Sequence, residues 1–117
     1  MAYAAPTAAA LAARSCARIR KGSPSMDAVS VARHAPAVPG WTVAEGMRLE
    51  REFRFPDFRA ALAFADRVGA LADSEDHHPE LRVSWGKTGI ILLTHSVGGL
   101  SENDFILAAK IDALHAH

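Results

Sequence analysis

Met47-Arg-Leu-Glu-Arg-Glu-Phe-Arg-Phe55 is the stretch that decides the fold. Met47, Leu49, Phe53 and Phe55 alternate with Arg48, Glu50, Glu52 and Arg54, and a period of two residues means a strand with one apolar face and one wet face. Upstream, Val38-Pro39-Gly40-Trp41 reads as a turn into a strand over Trp41 to Ala44, and Glu45-Gly46 suits a hairpin between the two strands. Downstream, Asp57 to Glu75 reads as an amphipathic helix, because Phe58, Leu62, Ala65, Val68 and Ala72 recur at helical spacing. Pro79 stops it and pushes His78 into extended geometry. A strand over Leu81 to Trp85 then turns at Gly86-Lys87 into the apolar run Gly89 to His95. Ile90 to Leu93 do not alternate, so this strand is expected to be covered on both faces, with a subunit partner as one cover. After Gly98-Gly99, Ser101 opens a last helix, and Ser101 with Asp104 resembles a capping box. With a short helix over Asp27 to Ala35, the order is α-β-β-α-β-β-α. The expected fold is α+β, a four-stranded antiparallel sheet with helices packed on one face.

The chain has 117 residues, enough for one core and too few for a second catalytic domain. Lys plus Arg and Asp plus Glu are 13 each, a balance that does not call for nucleic acid as a direct partner. The balance is uneven along the chain. Residues 1–26 hold Arg14, Arg18, Arg20 and Lys21 and no acid, which leaves 9 basic against 13 acidic groups, a formal charge of −4, on the rest. Residues 1–25 read as a basic, Ala-rich extension: an organelle targeting segment, a disordered tail, or sequence ahead of a start at Met26. Residues 26–117 read as the single domain. No apolar run is long enough for a membrane span, and one cysteine, Cys16, allows no internal disulfide, which fits a reducing, cytoplasmic setting.

The residues with chemistry to offer are the adjacent pair His77-His78 at a helix exit and His95 at a strand end. A hairpin between the last two strands would carry His95 back toward residues 78–80, so that three imidazoles line one pocket. Neutral imidazole suits proton transfer near neutral pH. Each residue also has a plainer reading: His77-His78 as a polar helix terminus, Thr94-His95 as a strand end, Asp104 as a cap, and Trp41 as core. A metal site is the rival chemistry, disfavoured because neighbouring residues in extended chain point to opposite sides.

The run Asp73-Ser-Glu-Asp76-His77-His78-Pro79-Glu80, then Trp85, then Thr94-His95-Ser-Val-Gly98-Gly99-Leu100-Ser101-Glu-Asn-Asp104, resembles the pterin-4a-carbinolamine dehydratase family. Pro39-Gly40-Trp41 and Phe53-Arg-Phe55-Pro-Asp57-Phe58 are similar to that family too, so the resemblance spans Val38 to Leu114. It implies a hydro-lyase of tetrahydrobiopterin recycling that needs no metal and no cofactor. It also implies His77, His78, His95 and Asp104 as catalytic positions and Trp41, Asp73, Asp76, Pro79 and Thr94 as pterin-binding ones. Leu81-Arg82, Trp85-Gly86 and Asn103 depart from the family's usual residues. The resemblance implies a homodimer or homotetramer, and it leaves room for a second role as a dimerisation cofactor of a transcription factor or an assembly factor.

Overall fold

The computed structural model describes residues 5–116. The alternating stretch forms β2 (Arg48–Arg54), and the segment before it forms the short β1 (Thr42–Ala44); Glu45 and Gly46 turn between them, both with positive φ. β3 (Glu80–Ser84) and β4 (Lys87–Leu92) make the second hairpin, whose turn is Trp85-Gly86. All pairings are antiparallel and the sheet order is β1-β2-β4-β3. β2 and β4 therefore lie side by side at the centre, joined by six residue pairs from Leu49–Leu92 to Arg54–Lys87.

Among the described residues four α-helices accompany the sheet: α1 (Ala8–Ala12), α2 (Ala28–His34), α3 (Phe58–Glu75) and α4 (Glu102–His115). Asp57 caps α3 by accepting from the Ala60 N–H at 2.8 Å, which satisfies a donor that has no partner within the helix. The core lies between one sheet face and the helices. Leu49, Phe53, Ile90 and Leu92 from the strands meet Phe64 and Val68 of α3 and Phe105, Ala108 and Ile111 of α4. Ile91 and Leu93, one residue out of phase, are half-buried in the single chain.

Arg51 breaks the apolar alternation of β2, and its partner lies far along the sequence. Its Nη1 donates to Oδ1 of Asp112 at 2.8 Å, and the same oxygen accepts Nε1–H of Trp41 at 2.8 Å. Burial raises the Asp112 carboxyl above its ordinary value, while these two donors pull it down.

α4 is buried continuously from Asn103 to Ala109, so it has no wet face in that stretch. The cover on its outer side is the segment read above as an extension. Leu11 of α1 is fully buried in the common core. Lys110 Nζ donates to the Ala12 carbonyl at 2.9 Å. Asn103 accepts from the Ala17 N–H at 2.8 Å and donates to its carbonyl at 2.6 Å, while the Cys16 N–H donates to Glu75 Oε1 at 2.8 Å. Farther on, the Gly22 N–H meets the Ser96 carbonyl and the Met26 N–H meets the Leu100 carbonyl. Residues 13–26 thus form an arm fixed across the C-terminal end of α3 and the N-terminal end of α4. Among the described residues no helix is long and apolar enough to cross a membrane.

Candidate active site

The end of α3 is shaped by Asp76, which takes left-handed backbone geometry at φ 49° and ψ 40°. Asp tolerates that region better than most residues, because its short side chain avoids the steric conflict of a bulkier one. The reversal lets the His77 N–H reach back to the Ala72 carbonyl at 3.2 Å. Pro79 follows and β3 begins at Glu80, since proline cannot continue the helix. His77 is thereby turned inward and His78 outward.

His77 Nε2 lies 2.6 Å from Oδ1 of Asp104, a carboxylate with no exposed surface. The second oxygen of Asp104 accepts from Thr94 Oγ1 at 2.8 Å and from the Ser101 N–H at 3.0 Å. Thr94 Oγ1 is also 2.7 Å from Ser101 Oγ. A carboxylate can only accept, so Thr94 spends its single hydroxyl proton on Asp104 and Ser101 Oγ donates to Thr94. For the same reason His77 donates from Nε2. Every buried side-chain nitrogen and oxygen among the described residues has a partner. Asp104 caps α4 through the Ser101 N–H and also orients His77, so the capping role and the site role are held by one side chain.

The other two imidazoles are exposed and flank this buried centre. His78 Nε2 lies 2.9 Å from Oδ1 of Asp73, and His78 opens onto a cleft shared with Asp73, Pro79 and Leu81. His95 begins a 3₁₀ turn (His95–Val97) directly after Thr94, whose N–H bonds the Gly99 carbonyl at 2.8 Å. It opens onto a different cleft of about 730 Å³ with Ser96 and residues 18–21 of the arm. The three imidazoles are thus not gathered into one cavity of the single chain. His78 and His95 are instead the chain neighbours of His77 and Thr94, the two residues tied to opposite oxygens of Asp104.

Among the remaining predicted positions, Asp76 shapes the backbone and its side chain is exposed. Trp41 is 6 % exposed and bonded to Asp112, which lies about 12 Å along α4 from Asp104 at 1.5 Å rise per residue. The structure therefore holds Trp41 in the core, bonded to Asp112 and not to the His77–Asp104 pair. Ser101, read from the sequence only as a cap, joins the polar cluster. Asn103 and Glu75, which seat the arm beside it, carried no signal in periodicity or spacing. No group of three or more His, Cys, Asp or Glu residues with metal-holding placement occurs among the described residues.

Known proteins resemble this chain over most of its length. Residues 24–114 match the family model described as pterin 4 alpha carbinolamine dehydratase. A Chlorobium limicola protein provisionally named pterin-4-alpha-carbinolamine dehydratase is 50 % identical over 97 residues, covering 80 % of this chain and 85 % of its own length. A similarly named Rubrobacter xylanophilus protein is 42 % identical over 104 residues, 89 % of this chain and 97 % of the relative, so the likeness extends into the arm. The crystal structure of a transcriptional coactivator/pterin dehydratase from Brucella melitensis superposes with a TM-score of 0.72 at 30 % identity, over 77 % of this chain and 97 % of that one. The histidine pair, the distant His95 and the buried carboxylate thus sit in a chain that belongs to the pterin 4 alpha carbinolamine dehydratase family.

Proposed function

We propose that this protein dehydrates a pterin 4a-carbinolamine, 4a-hydroxytetrahydrobiopterin or a close relative, to the quinonoid dihydropterin, as a hydro-lyase of tetrahydropterin recycling. The observation that carries the reading is the buried Asp104 carboxylate, which orients His77 through one oxygen and secures Thr94, next to His95, through the other.

The substrate carries a hydroxyl on C4a beside N5–H. Dehydration breaks the C4a–O bond, delivers a proton to the departing oxygen and removes one from N5, leaving a C4a=N5 double bond and water. One acid and one base on opposite sides of the ring suffice. His78 and His95 are assigned to these two tasks, in one order or the other. Both are exposed, so each can exchange protons with solvent. Asp73 steadies the His78 ring, and His77, its tautomer set by Asp104, anchors the pterin through Nδ1. Acid–base assistance of this kind contributes roughly 10²- to 10⁴-fold per group. The assignment calls on no metal and no organic cofactor.

The test is dehydration of a synthetic 4a-hydroxytetrahydropterin, followed by stopped-flow absorbance, with wild type, His78→Ala and His95→Ala. A fall of roughly 10²-fold or more in each variant is expected; equal rates in all three would end the proposal.

A second reading is a role in binding another protein. It is favoured by the Brucella relative, which is described as both a transcriptional coactivator and a pterin dehydratase. Half-covered Ile91 and Leu93 on the outer sheet face suit assembly into a homodimer or homotetramer, which sedimentation velocity would detect. Copurification of a stable partner from a chain without dehydratase activity would favour this second reading.

A further inference from the structure

The cleft beside His95 has a lining that proton transfer alone does not require. It is an open cleft of about 730 Å³ formed by Arg18, Ile19, Arg20 and Lys21 of the arm facing His95 and Ser96. The arm is not loosely draped there, since hydrogen bonds from Ala17 to Asn103 and from Gly22 to Ser96 fix it on both sides of the four residues. Arg18, Arg20 and Lys21 are exposed, and among the described residues none of them forms a salt bridge. No acid occurs in residues 1–26 to neutralise them.

Three unpaired cations held around a cleft that also contains an imidazole present a concentrated positive field. Arginine matches phosphate oxygens with two parallel N–H donors. The volume is ample for a ligand with a substituent, in the range of ordinary small-molecule sites. A long polyanion is a poor fit, because the rest of the chain carries a formal charge of −4 and would repel it outside this cleft.

We infer that the arm makes this site select a pterin whose side chain ends in a phosphate ester, with Arg18, Arg20 and Lys21 holding the phosphate while the ring lies against His95. The inference rests on the proposed pterin chemistry and adds to it a class of substrate. Ile19, half-buried between the cations, supplies an apolar contact for the linking carbons.

The test is isothermal titration of the full chain with two probes that share a ring, 7,8-dihydroneopterin and its 3′-triphosphate ester, at low and at high salt. The phosphorylated probe is expected to bind at least about tenfold more tightly, a preference that shrinks as salt screens the charges. In the Arg18→Ala/Arg20→Ala/Lys21→Ala variant the ratio of the two affinities should fall close to one. Equal affinity of wild type for both probes overturns the phosphate inference and leaves the dehydratase reading standing. A preference that survives the triple substitution overturns it too, by placing the phosphate elsewhere. Failure of both probes to bind overturns the pterin reading and this inference together.

Discussion

Asp104 serves His77 and the N-terminus of α4 at once: Oδ1 lies 2.6 Å from His77 Nε2, and Oδ2 accepts from Thr94 and from the Ser101 N–H. A helix cap that is also a histidine's partner couples the stability of α4 to the orientation of the site. Asp104→Asn separates the two functions only in part, because the amide keeps one acceptor oxygen and offers an NH₂ where the other oxygen stood. That NH₂ would face either the His77 Nε2–H or the Thr94 and Ser101 donors. The expected outcome is a loss of about 1–3 kcal/mol of stability from the buried donor left unpaired. A fall in dehydration rate of roughly 10²-fold should accompany it, as the ring of His77 loses its fixed tautomer. Urea denaturation and stopped-flow assays of one preparation check both. A stable variant with full activity would show that His77 needs no oriented tautomer.

The His78–Asp73 pair has a different weight. Its side chains are 57 % and 81 % exposed, so solvent screens the attraction and the pair contributes little to folding. Asp73→Asn should lower the thermal midpoint by no more than about 5 °C, because exposed pairs are worth only about 0–1 kcal/mol. Its effect on catalysis should be a few-fold, far smaller than that of His78→Ala, because Asp73 only steadies the ring. Differential scanning fluorimetry and steady-state rates decide between these expectations and a structural role for Asp73.

Leu11 ties the arm to the domain. It is fully buried in the core and sits on a helix of five residues, too short to be stable without packing. Leu11→Ala is expected to cost about 2–5 kcal/mol, the range for emptying a buried leucine site. A chain beginning at Met26 would lose this contact, the arm's bonds to Glu75 and Asn103, and the cover of α4. It should unfold at markedly lower denaturant. Equal denaturation midpoints for the full chain and the shortened one would show that the arm adds nothing to the domain.

The strands and the order of elements are legible in the sequence because alternation and helical spacing are local signals. β2 is an example: Leu49 and Phe53 point inward as the period requires. What is not legible is set by partners distant in the chain. Arg51 looks like an error in the alternation until Asp112 is placed against it, 61 residues away. The arm has no periodic signature, and its seat depends on Glu75 and Asn103, 59 and 86 residues off. Within the site, the residue types are readable but their directions are not. The inward turn of His77 and the outward turn of His78 follow from the left-handed backbone of Asp76, and nothing in the tripeptide His77-His78-Pro79 states it.

Glu102 gives the arm a pH dependence. The Arg14 guanidinium, bonded to Oε1, holds its carboxyl below the usual 4.5, burial opposes this, and His34 bonded to Oε2 assists. A carboxyl lowered in the folded state adds stability that is present above its unfolded value and is lost as pH falls through the folded one. The gap in thermal midpoint between wild type and Glu102→Gln should therefore be constant above about pH 5 and shrink below pH 4.5. Since Arg14 and Glu102 are 51 % and 40 % exposed, the gap should also be modest and narrow in high salt. A gap that grows toward acid would contradict the assignment.

Cys16 reports on whether the arm is seated. Its thiol is half-buried, with Sγ 3.6 Å from the Asn103 carbonyl, and its own N–H is bonded to Glu75. Burial pushes the thiol up to about 12, and the Glu75 carboxylate adds to the shift, while Lys110 opposes it weakly. The thiolate is the reactive species, so at pH 8 alkylation by iodoacetamide should run at least about 10²-fold slower than for a free cysteine. Glu75→Gln removes both the nearby charge and the better acceptor for the Cys16 N–H, and should speed alkylation. In denaturant the rate should rise to that of an ordinary thiol. Rapid alkylation of the native protein, measured by mass spectrometry under conditions where Leu11 remains packed, would mean that residues 13–17 detach from α4 on their own.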